Sequence, residues 1–305
     1  MNIGLLFPGQ GSQRPQMLHD LVQHPVVDET LAEISEVLGH DVRSLDSKDA
    51  LRSPVSVQLA IFAAGVSTAR ALQRSGVRPL AVAGLSIGAF SAAVVSEAIE
   101  LSDAVRLVRS RAEQMEHLYP TGYGLAAIVG LSEAQVIKLV AAESTPAHPV
   151  FVGNINAPRQ IVIAGSVEAM KAVLEKALLQ GARKAELLDV PVPSHCPLLQ
   201  PIADSLHAQL EAISVQDPKV IYIANVNARA VRTAKGVAKD LADNIAHGVR
   251  WHDATSVAQE LGCELFLQLP PGHTLRDLAL ENLPNIKANA ITPDNFDKLL
   301  HLAMS

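Results

Sequence analysis

Ser86 stands in the pattern Gly84-Leu85-Ser86-Ile87-Gly88, which could present a serine hydroxyl as a nucleophile. Small residues two positions before and after a serine let a strand turn sharply into a helix while the serine oxygen stays exposed. Amide N–H groups at the start of that helix favour the negative charge that develops on an attacked carbonyl oxygen. An ordinary glycine-rich turn between a strand and a helix, without a catalytic serine, can have the same sequence pattern. The position after an apolar strand and before an alanine-rich helix favours a nucleophile.

A serine nucleophile needs a base, and His195 is the best candidate among the eleven histidines. It lies in Val190-Pro191-Val192-Pro193-Ser194-His195-Cys196-Pro197, where three prolines restrict the backbone. Rigid placement at the edge of a cleft suits a general base. A histidine that caps the following helix would fit the same segment, so this pattern alone leaves both interpretations open.

The elements that must position these two residues alternate between strands and helices. Apolar runs predict strands at 3–7, 80–83, 220–226 and 264–268. Helical patterns cover 26–38, 55–74, 88 to about 98, 103–118, 198–213, 237–246 and 252–261, with Ser102 as the expected N-cap of the fourth. This alternation predicts a parallel sheet covered by helices on both faces.

Residues 124–190 have a different order of elements. Strands are predicted at 125–131, 150–155, 160–164 and 184–190, and helices at 133–143 and 167–180, with a capping box at Ser132 to Gln135 and Ser166 as a second cap. The order β-α-β-β-α-β is that of a ferredoxin-like unit. We therefore predict a large subdomain formed by residues 1–123 and 191–305, with a small ferredoxin-like subdomain, 124–190, inserted in it.

The composition excludes several classes of protein. With 305 residues, 49% of them hydrophobic and 18% charged, the chain can bury a large core and is not intrinsically disordered. A net charge of −6 argues against a general nucleic-acid binder. Two cysteines, Cys196 and Cys263, are too few for a disulfide framework or a cysteine zinc site, so no metal is expected. The uncharged stretch 79–96 is predicted as strand, turn and helix, and we expect a cytoplasmic protein without a membrane span.

Six motifs in a fixed order resemble the malonyl-CoA:acyl-carrier-protein transacylases. The resemblance runs from residue 3 to about 279. The motifs are Phe7-Pro8-Gly9-Gln10-Gly11-Ser12-Gln13, the segment around Ser86, Arg111 with Met115, Asn154-Ile155-Asn156-Ala157-Pro158-Arg159-Gln160, Pro193-Ser194-His195-Cys196, and Pro271-Gly272-His273-Thr274-Leu275.

The resemblance implies a fold and a set of roles. The fold is an α/β-hydrolase-like parallel-sheet core with the inserted small subdomain. Ser86 would be acylated and His195 would be its base, oriented by the backbone carbonyl of Asn244. Backbone N–H groups of Gln10 and Ile87 would form the oxyanion hole, and Arg111 would bind the malonyl carboxylate through two parallel hydrogen bonds. Secondary candidates for the acyl pocket and the CoA arm are Gln58, Asn156, Gln160 and Lys184. An ordinary surface or turn position would explain each of these four residues equally well.

The same resemblance implies the substrates. Malonyl-CoA would be the donor and the phosphopantetheine-type thiol of an acyl carrier protein the acceptor, with no cofactor, nucleic acid or membrane. The usual pattern around the serine is Gly-His-Ser-x-Gly-Glu, whereas here Leu85 replaces the histidine and Ala89 the glutamate. This version resembles the epsilon subunit of malonate decarboxylase, whose carrier subunit is therefore the predicted acceptor. The carrier protein of fatty-acid synthesis is the alternative.

Two other functions compete with malonyl transfer. An α/β-hydrolase thioesterase would use the same serine with water as acceptor and an acidic residue between serine and histidine. Asp189 lies there, but only six residues before His195, and such a hydrolase has no general use for Arg111. A non-catalytic docking subunit would be expected to lose the serine, the histidine or the arginine, and all three are present.

Overall fold

The computed structural model describes residues 1–119 and 121–304, and it contains two β-sheets. A six-stranded sheet has the order β10-β9-β1-β2-β7-β8, parallel except for the last pair, and a four-stranded antiparallel sheet has the order β4-β5-β3-β6. The strands are β1 (Ile3–Phe7), β2 (Ala81–Gly84), β3 (Tyr123–Val129), β4 (Val150–Ala157), β5 (Gln160–Ser166), β6 (Lys184–Leu187), β7 (Ile221–Ile223), β8 (Ala230–Val231), β9 (Leu265–Gln268) and β10 (Lys287–Ala290).

Helices cover both faces of the large sheet, as the alternation of elements predicts. Leu5 and Phe7 of β1 pack into one hydrophobic cluster and Leu6 into another, because successive side chains of a strand point to opposite faces. The helices are α1 (Pro25–Leu38), α2 (Pro54–Arg74), α3 (Gly88–Val95), α4 (Leu101–Leu118), α5 (Glu133–Glu143), α6 (Val167–Leu179), α7 (Gln200–Glu211), α8 (Ala234–Asp243), α9 (Trp251–Glu260), α10 (Thr274–Asn282) and α11 (Phe296–Met304).

Helix α2 is the one helix in the described part of the chain that is long and apolar enough to cross a membrane. It is mostly buried inside the protein, where it packs against α1, α3 and α4. Its apolar composition is therefore accounted for by the core of this fold. The uncharged stretch 79–96 contains β2, the turn after it and α3.

The antiparallel sheet, β3 to β6 with α5 and α6, has the predicted β-α-β-β-α-β order. The capping box at the start of α5 is present, whereas Ser166 stands at the N-cap position of α6 without a side-chain capping bond. Strand β4 of this sheet makes backbone hydrogen bonds to Val249, in the segment between α8 and α9. The Ile155 N–H donates to the Val249 carbonyl at 2.8 Å, and the Val249 N–H donates to the Gly153 carbonyl at 2.8 Å.

Several predicted boundaries are wrong. Helix α4 begins at Leu101 with Glu100 as N-cap, so Ser102 lies inside the first turn. Helix α3 ends at Val95, since the chain turns back there through Glu97, which has a positive φ of 60°. Strand β6 ends at Leu187, and of residues 188–190 only Leu188 keeps a backbone bond to the sheet, to the Leu125 carbonyl at 2.9 Å. The elements α10, β10 and α11, which complete one edge of the large sheet, were not anticipated at all.

Candidate active site

The turn between β2 and α3 holds Ser86 with a positive φ of 55°. A side chain at Gly84 would place its Cβ 2.1 Å from the backbone of Gly88, and one at Gly88 would place its Cβ 2.2 Å from the Phe7 carbonyl oxygen. The ends of β1 and β2 therefore approach the start of α3 so closely that only glycine fits on either side of the serine. The close packing forces the strained turn that presents Ser86.

Ser86 lines a cavity of about 50 Å³ to which both sheets contribute. Gln10 and Ile87 line the same cavity, Gln10 from the loop after β1 and Ile87 from the residue before α3. The first loop runs directly against the serine turn, because a Cβ on Gly9 would lie 2.8 Å from the Leu85 carbonyl oxygen. The cavity is lined by Gly9, Gln10, Leu85, Ser86, Ile87, Arg111, Met115, Leu125, Asn154, Val190, Ser194 and His195.

Arg111 reaches the cavity from α4 and is 1% exposed. Its Nη2 donates to Ser86 Oγ at 3.2 Å, its Nη1 donates to Gln58 Oε1, and its Nε has no partner. Within residues 1–119 and 121–304, no carboxylate lies at ion-pair distance from it. Burial lowers the pKa of Arg111 to about 9. A buried cation without a counter-ion is costly, which makes this guanidinium a ready partner for an anionic ligand.

His195 lies in the segment between the small sheet and α7, with a positive φ of 64° and 3% exposure. Its backbone N–H donates to the Ile245 carbonyl at 2.8 Å, and its Nδ1 lies 2.5 Å from the carbonyl oxygen of Asn244. A carbonyl oxygen can only accept, so Nδ1 carries the hydrogen and Nε2 is left as an acceptor. The backbone of the loop after α8 thus fixes the tautomer that a general base requires.

The electrostatic environment keeps His195 neutral. Burial lowers its pKa to about 4, the positive charge of Arg111 acts in the same direction, and the hydrogen bond to the Asn244 carbonyl opposes both. The imidazole is therefore unprotonated at neutral pH and free to accept a proton. Unlike a carboxylate, the Asn244 carbonyl adds no net negative charge beside it.

None of the four secondary candidates lines the cavity, although Gln58 contacts two residues that do, Arg111 and Met115. Gln58 is fully buried in α2, and its Nε2 donates to the sulfur of Met115 at 3.3 Å while its Oε1 accepts from Arg111. Asn156 is buried in β4, Gln160 begins β5, and Lys184 is an exposed residue of β6 that pairs with Glu186 at 2.6 Å.

Two polar residues that sequence reasoning did not single out lie at the site. Asn154, named only as part of a motif, lines the cavity with its Oδ1 unpartnered. Asn225 accepts a hydrogen bond from the Ser86 N–H at 3.0 Å. The signal for Asn225 was its position near the carboxyl end of the predicted strand 220–226, because residues at the carboxyl ends of neighbouring parallel strands meet at one edge of the sheet.

The set of groups has a definite chemical capacity. A serine hydroxyl, a neutral imidazole and the N-terminal end of a helix can form and resolve an acyl-serine ester. The buried guanidinium beside the serine is chemically suited to bind an acyl group that carries an anion. No group of three or more histidine, cysteine, aspartate or glutamate side chains that could hold a metal ion occurs in the described residues.

Known proteins of similar sequence and structure were compared with this chain. The model of the acyl transferase domain family matches residues 5–293. The malonyl CoA-acyl carrier protein transacylase of Escherichia coli K12 is 35% identical over 294 residues, which are 94% of each chain. The malonyl CoA-acyl carrier protein transacylase of Coxiella burnetii superposes with a TM-score of 0.95 at 30% identity, covering 100% of this chain and 98% of its own. A malonyl-transacylase in complex with its type II PKS acyl-carrier protein gives 0.94 at 33% identity, covering 99% and 100%.

Proposed function

The chain belongs to the acyl transferase family, and we propose that it moves a malonyl group from malonyl-CoA, through an ester on Ser86, to the thiol of an acyl carrier protein. The observation that carries the proposal is the buried Arg111, which contacts the Ser86 hydroxyl and has no acidic partner among the described residues. A thioester carbonyl attacked by Ser86 would bring the carboxylate at the far end of the malonyl group to this cation.

Acylation uses the groups in sequence. His195 Nε2 takes the proton of Ser86 Oγ as the oxygen attacks the thioester carbonyl. Backbone N–H groups of Gln10 and Ile87 stabilise the oxyanion of the tetrahedral intermediate. The intermediate collapses, the carbon–sulfur bond breaks, and the CoA sulfur takes the proton from His195. The carrier thiol then reverses each step: it gives its proton to His195, attacks the ester and releases Ser86.

The substrate itself makes His195 a better base. The charge of Arg111 lowers the pKa of His195 in the empty site. A bound malonyl carboxylate neutralises that charge, so imidazolium formation becomes less costly at the moment when His195 must accept a proton. Because the Asn244 carbonyl is neutral, the carboxylate of the substrate takes over a charge-balancing role that an aspartate plays in serine hydrolases.

For the acceptor we propose the carrier subunit of malonate decarboxylase. Support comes from Leu85 and Ala89, which depart from the usual pattern in the same way as the epsilon subunit of that enzyme. Leu85 lines the cavity, and Ala89 is fully buried where a glutamate would have to bury its carboxylate. The names of the relatives give an acyl carrier protein as the acceptor, and the carrier protein of fatty-acid synthesis is our second candidate. The buried α2 and two free thiols fit a cytoplasmic enzyme.

Mass spectrometry of the protein after incubation with malonyl-CoA tests the chemistry. One malonyl group should appear on the peptide that contains Ser86, and Ser86→Ala should remain unlabelled. Labelling elsewhere would contradict the mechanism.

Competition between acceptors tests the second half of the reaction. The malonyl-enzyme is mixed with the carrier subunit of malonate decarboxylase, with the fatty-acid carrier protein, or with buffer alone. We expect the fastest transfer to the decarboxylase carrier. Equal or faster transfer to the fatty-acid carrier would overturn the choice of acceptor, and rapid hydrolysis in buffer would favour a thioesterase.

A further inference from the structure

The backbone N–H of Ser86 has an acceptor far away in the sequence. It donates to Oδ1 of Asn225, a residue that is 3% exposed and lies just after β7. Ser86 has a positive φ, which a non-glycine residue adopts only when its surroundings hold it there. On its other side, Arg111 donates to the Ser86 hydroxyl. The serine is thus held through its backbone by one residue and through its side chain by another.

The amide of Asn225 can face Ser86 in only one orientation. Its Nδ2 donates to Asp240 Oδ2 at 3.3 Å, while its Oδ1 faces the Ser86 N–H. Turning the amide over would set two N–H groups against each other and an oxygen against a carboxylate. The hydrogen-bond pattern, and not only the placement of the atoms, therefore assigns Oδ1 to Ser86.

Asp240 is in turn a buried carboxylate, 5% exposed, that accepts hydrogen bonds on both oxygens. Oδ1 accepts from the backbone N–H groups of Asn225 at 2.8 Å and Val226 at 3.1 Å, and Oδ2 accepts from the Tyr222 hydroxyl at 2.8 Å as well as from Asn225 Nδ2. No lysine, arginine or histidine pairs with it in the described part of the chain. A carboxylate buried at such cost, with four donors, fixes one conformation of the chain after β7.

We propose that Asn225 is a positioning residue for the nucleophile and that Asp240 acts through it by fixing the side-chain amide. The inference rests on the proposed role of Ser86. Without the Asn225 oxygen, the strained turn loses the acceptor that fixes its backbone, and Oγ shifts relative to His195. A displacement of about 1 Å at a reacting atom lowers a rate by about 100-fold.

The sharpest test exchanges the two side chains. Asn225→Asp keeps an acceptor for the Ser86 N–H but places a second carboxylate next to Asp240. Asp240→Asn removes the negative charge, and the contact between the two side-chain amides then no longer fixes which way either amide is turned. In the double variant, the new aspartate accepts from Ser86 with one oxygen and from the new asparagine Nδ2 with the other. The asparagine Oδ1 then accepts the two backbone N–H groups, and its second hydrogen meets Tyr222 Oη. Only the Tyr222 hydroxyl hydrogen, which donates to Asp240 in the wild type, is left without its acceptor.

Two activities should be measured in each folded variant: the rate at which a fluorophosphonate labels Ser86, and kcat and KM for malonyl-CoA. The probe has neither a carboxylate nor CoA, so it reports on the nucleophile alone. We expect Asn225→Ala to lower both the labelling rate and kcat by about 10- to 100-fold and to leave KM within about threefold, since Arg111 still binds the carboxylate. The exchanged double variant should be at least about tenfold faster than Asn225→Asp.

Asp46→Ala serves as a matched control. Asp46 is also a buried carboxylate that accepts a backbone N–H, from Leu18 at 2.8 Å, but it does not line the cavity. Its removal should lower Tm without changing the labelling rate of the folded protein.

Two results would overturn the positioning role: wild-type labelling rates in folded Asn225→Ala, or a double variant no faster than Asn225→Asp. Fluorophosphonate labelling of Ser86 in a wild-type protein that malonyl-CoA does not malonylate would contradict the proposed function instead, and the labelling rates of the variants would still decide the positioning role.

Discussion

Replacing Arg111 by alanine is the most direct test of how the site distinguishes acyl groups. The change removes the buried cation, the donor to Ser86 Oγ and the partner of Gln58 Oε1 in one step. A malonyl carboxylate would then enter a cavity that has lost its one guanidinium and in which five lining side chains, Leu85, Ile87, Met115, Leu125 and Val190, are apolar. An acetyl group, which has no carboxylate, would lose nothing comparable.

The expected magnitude follows from the burial of the guanidinium. Because Arg111 is 1% exposed, solvent does not screen its interaction with a bound anion appreciably. Truncating one member of such a buried charge pair costs about 2–4 kcal/mol. At about 1.4 kcal/mol per factor of ten, kcat/KM for malonyl-CoA should fall by about 30- to 1,000-fold. Arg111→Lys should recover little, since one ammonium cannot donate along both arms of the fork.

The assay is the ratio of kcat/KM for malonyl-CoA to that for acetyl-CoA, in the wild type and the variants. Arg109→Ala is the matched control, because Arg109 is on the same helix but is half exposed and pairs with Glu113. The ratio should collapse in Arg111→Ala and stay unchanged in Arg109→Ala. Equal losses for malonyl and acetyl in Arg111→Ala would show that the residue is structural and that another group reads the carboxylate.

Three further perturbations have calculable outcomes. The pH profile of kcat/KM should be flat near neutrality and fall as pH drops through about 4, because His195 becomes protonated there and can no longer accept a proton. It should fall again as pH rises through about 9, because Arg111 loses its charge there. An acid limb near pH 6.5 would mean that the base is not buried. Gln58→Leu leaves one arm of the guanidinium without its acceptor and should lower malonyl kcat/KM by about 10- to 100-fold, with a smaller effect on acetyl in the same assay. Gly84→Ala forces a Cβ to 2.1 Å from the backbone at the start of α3 and should lower the free energy of unfolding, measured in urea, by about 3 kcal/mol. Gly181→Ala, where a Cβ meets open space but φ is 91°, should lower it by about 1 kcal/mol from backbone strain alone.

The local features of this fold could be predicted because each depends on neighbours in the sequence. The turn at Ser86 needs glycines two residues away, and the capping box of α5 spans four residues. The order of elements in the small sheet follows from alternating periodicities. The predicted start of α4 is two residues too late because Glu100 and Ser102 both precede helical residues. In the structure Glu100 is the N-cap.

The contacts that complete the site could not be predicted, because they join distant segments. Arg111 meets Gln58 across 53 positions, and Ser86 meets Asn225 across 139. Only the packing of α2 against α4 and of β2 beside β7 brings these pairs together. Lys184 illustrates the opposite case, since a cationic residue in a plausible place in the sequence is exposed on β6 and pairs with Glu186.

The backbone bonds between β4 and the segment after α8 bear on how this protein could be recombined with its relatives. Ser86, Arg111 and His195 all come from segments outside the antiparallel sheet, whereas Leu125 and Asn154, which also line the cavity, come from β3 and β4. A chimera that takes residues 123–187 from a relative would therefore exchange these two lining positions and keep the reacting groups unchanged. Its crossover points lie at the ends of the sheet, and the recipient must keep glycine at 248, where a Cβ would come within 2.8 Å of the Gly153 carbonyl oxygen. The cavity residues that the antiparallel sheet contributes could then be exchanged as a block of sequence, separately from Ser86, His195, Arg111 and Leu85.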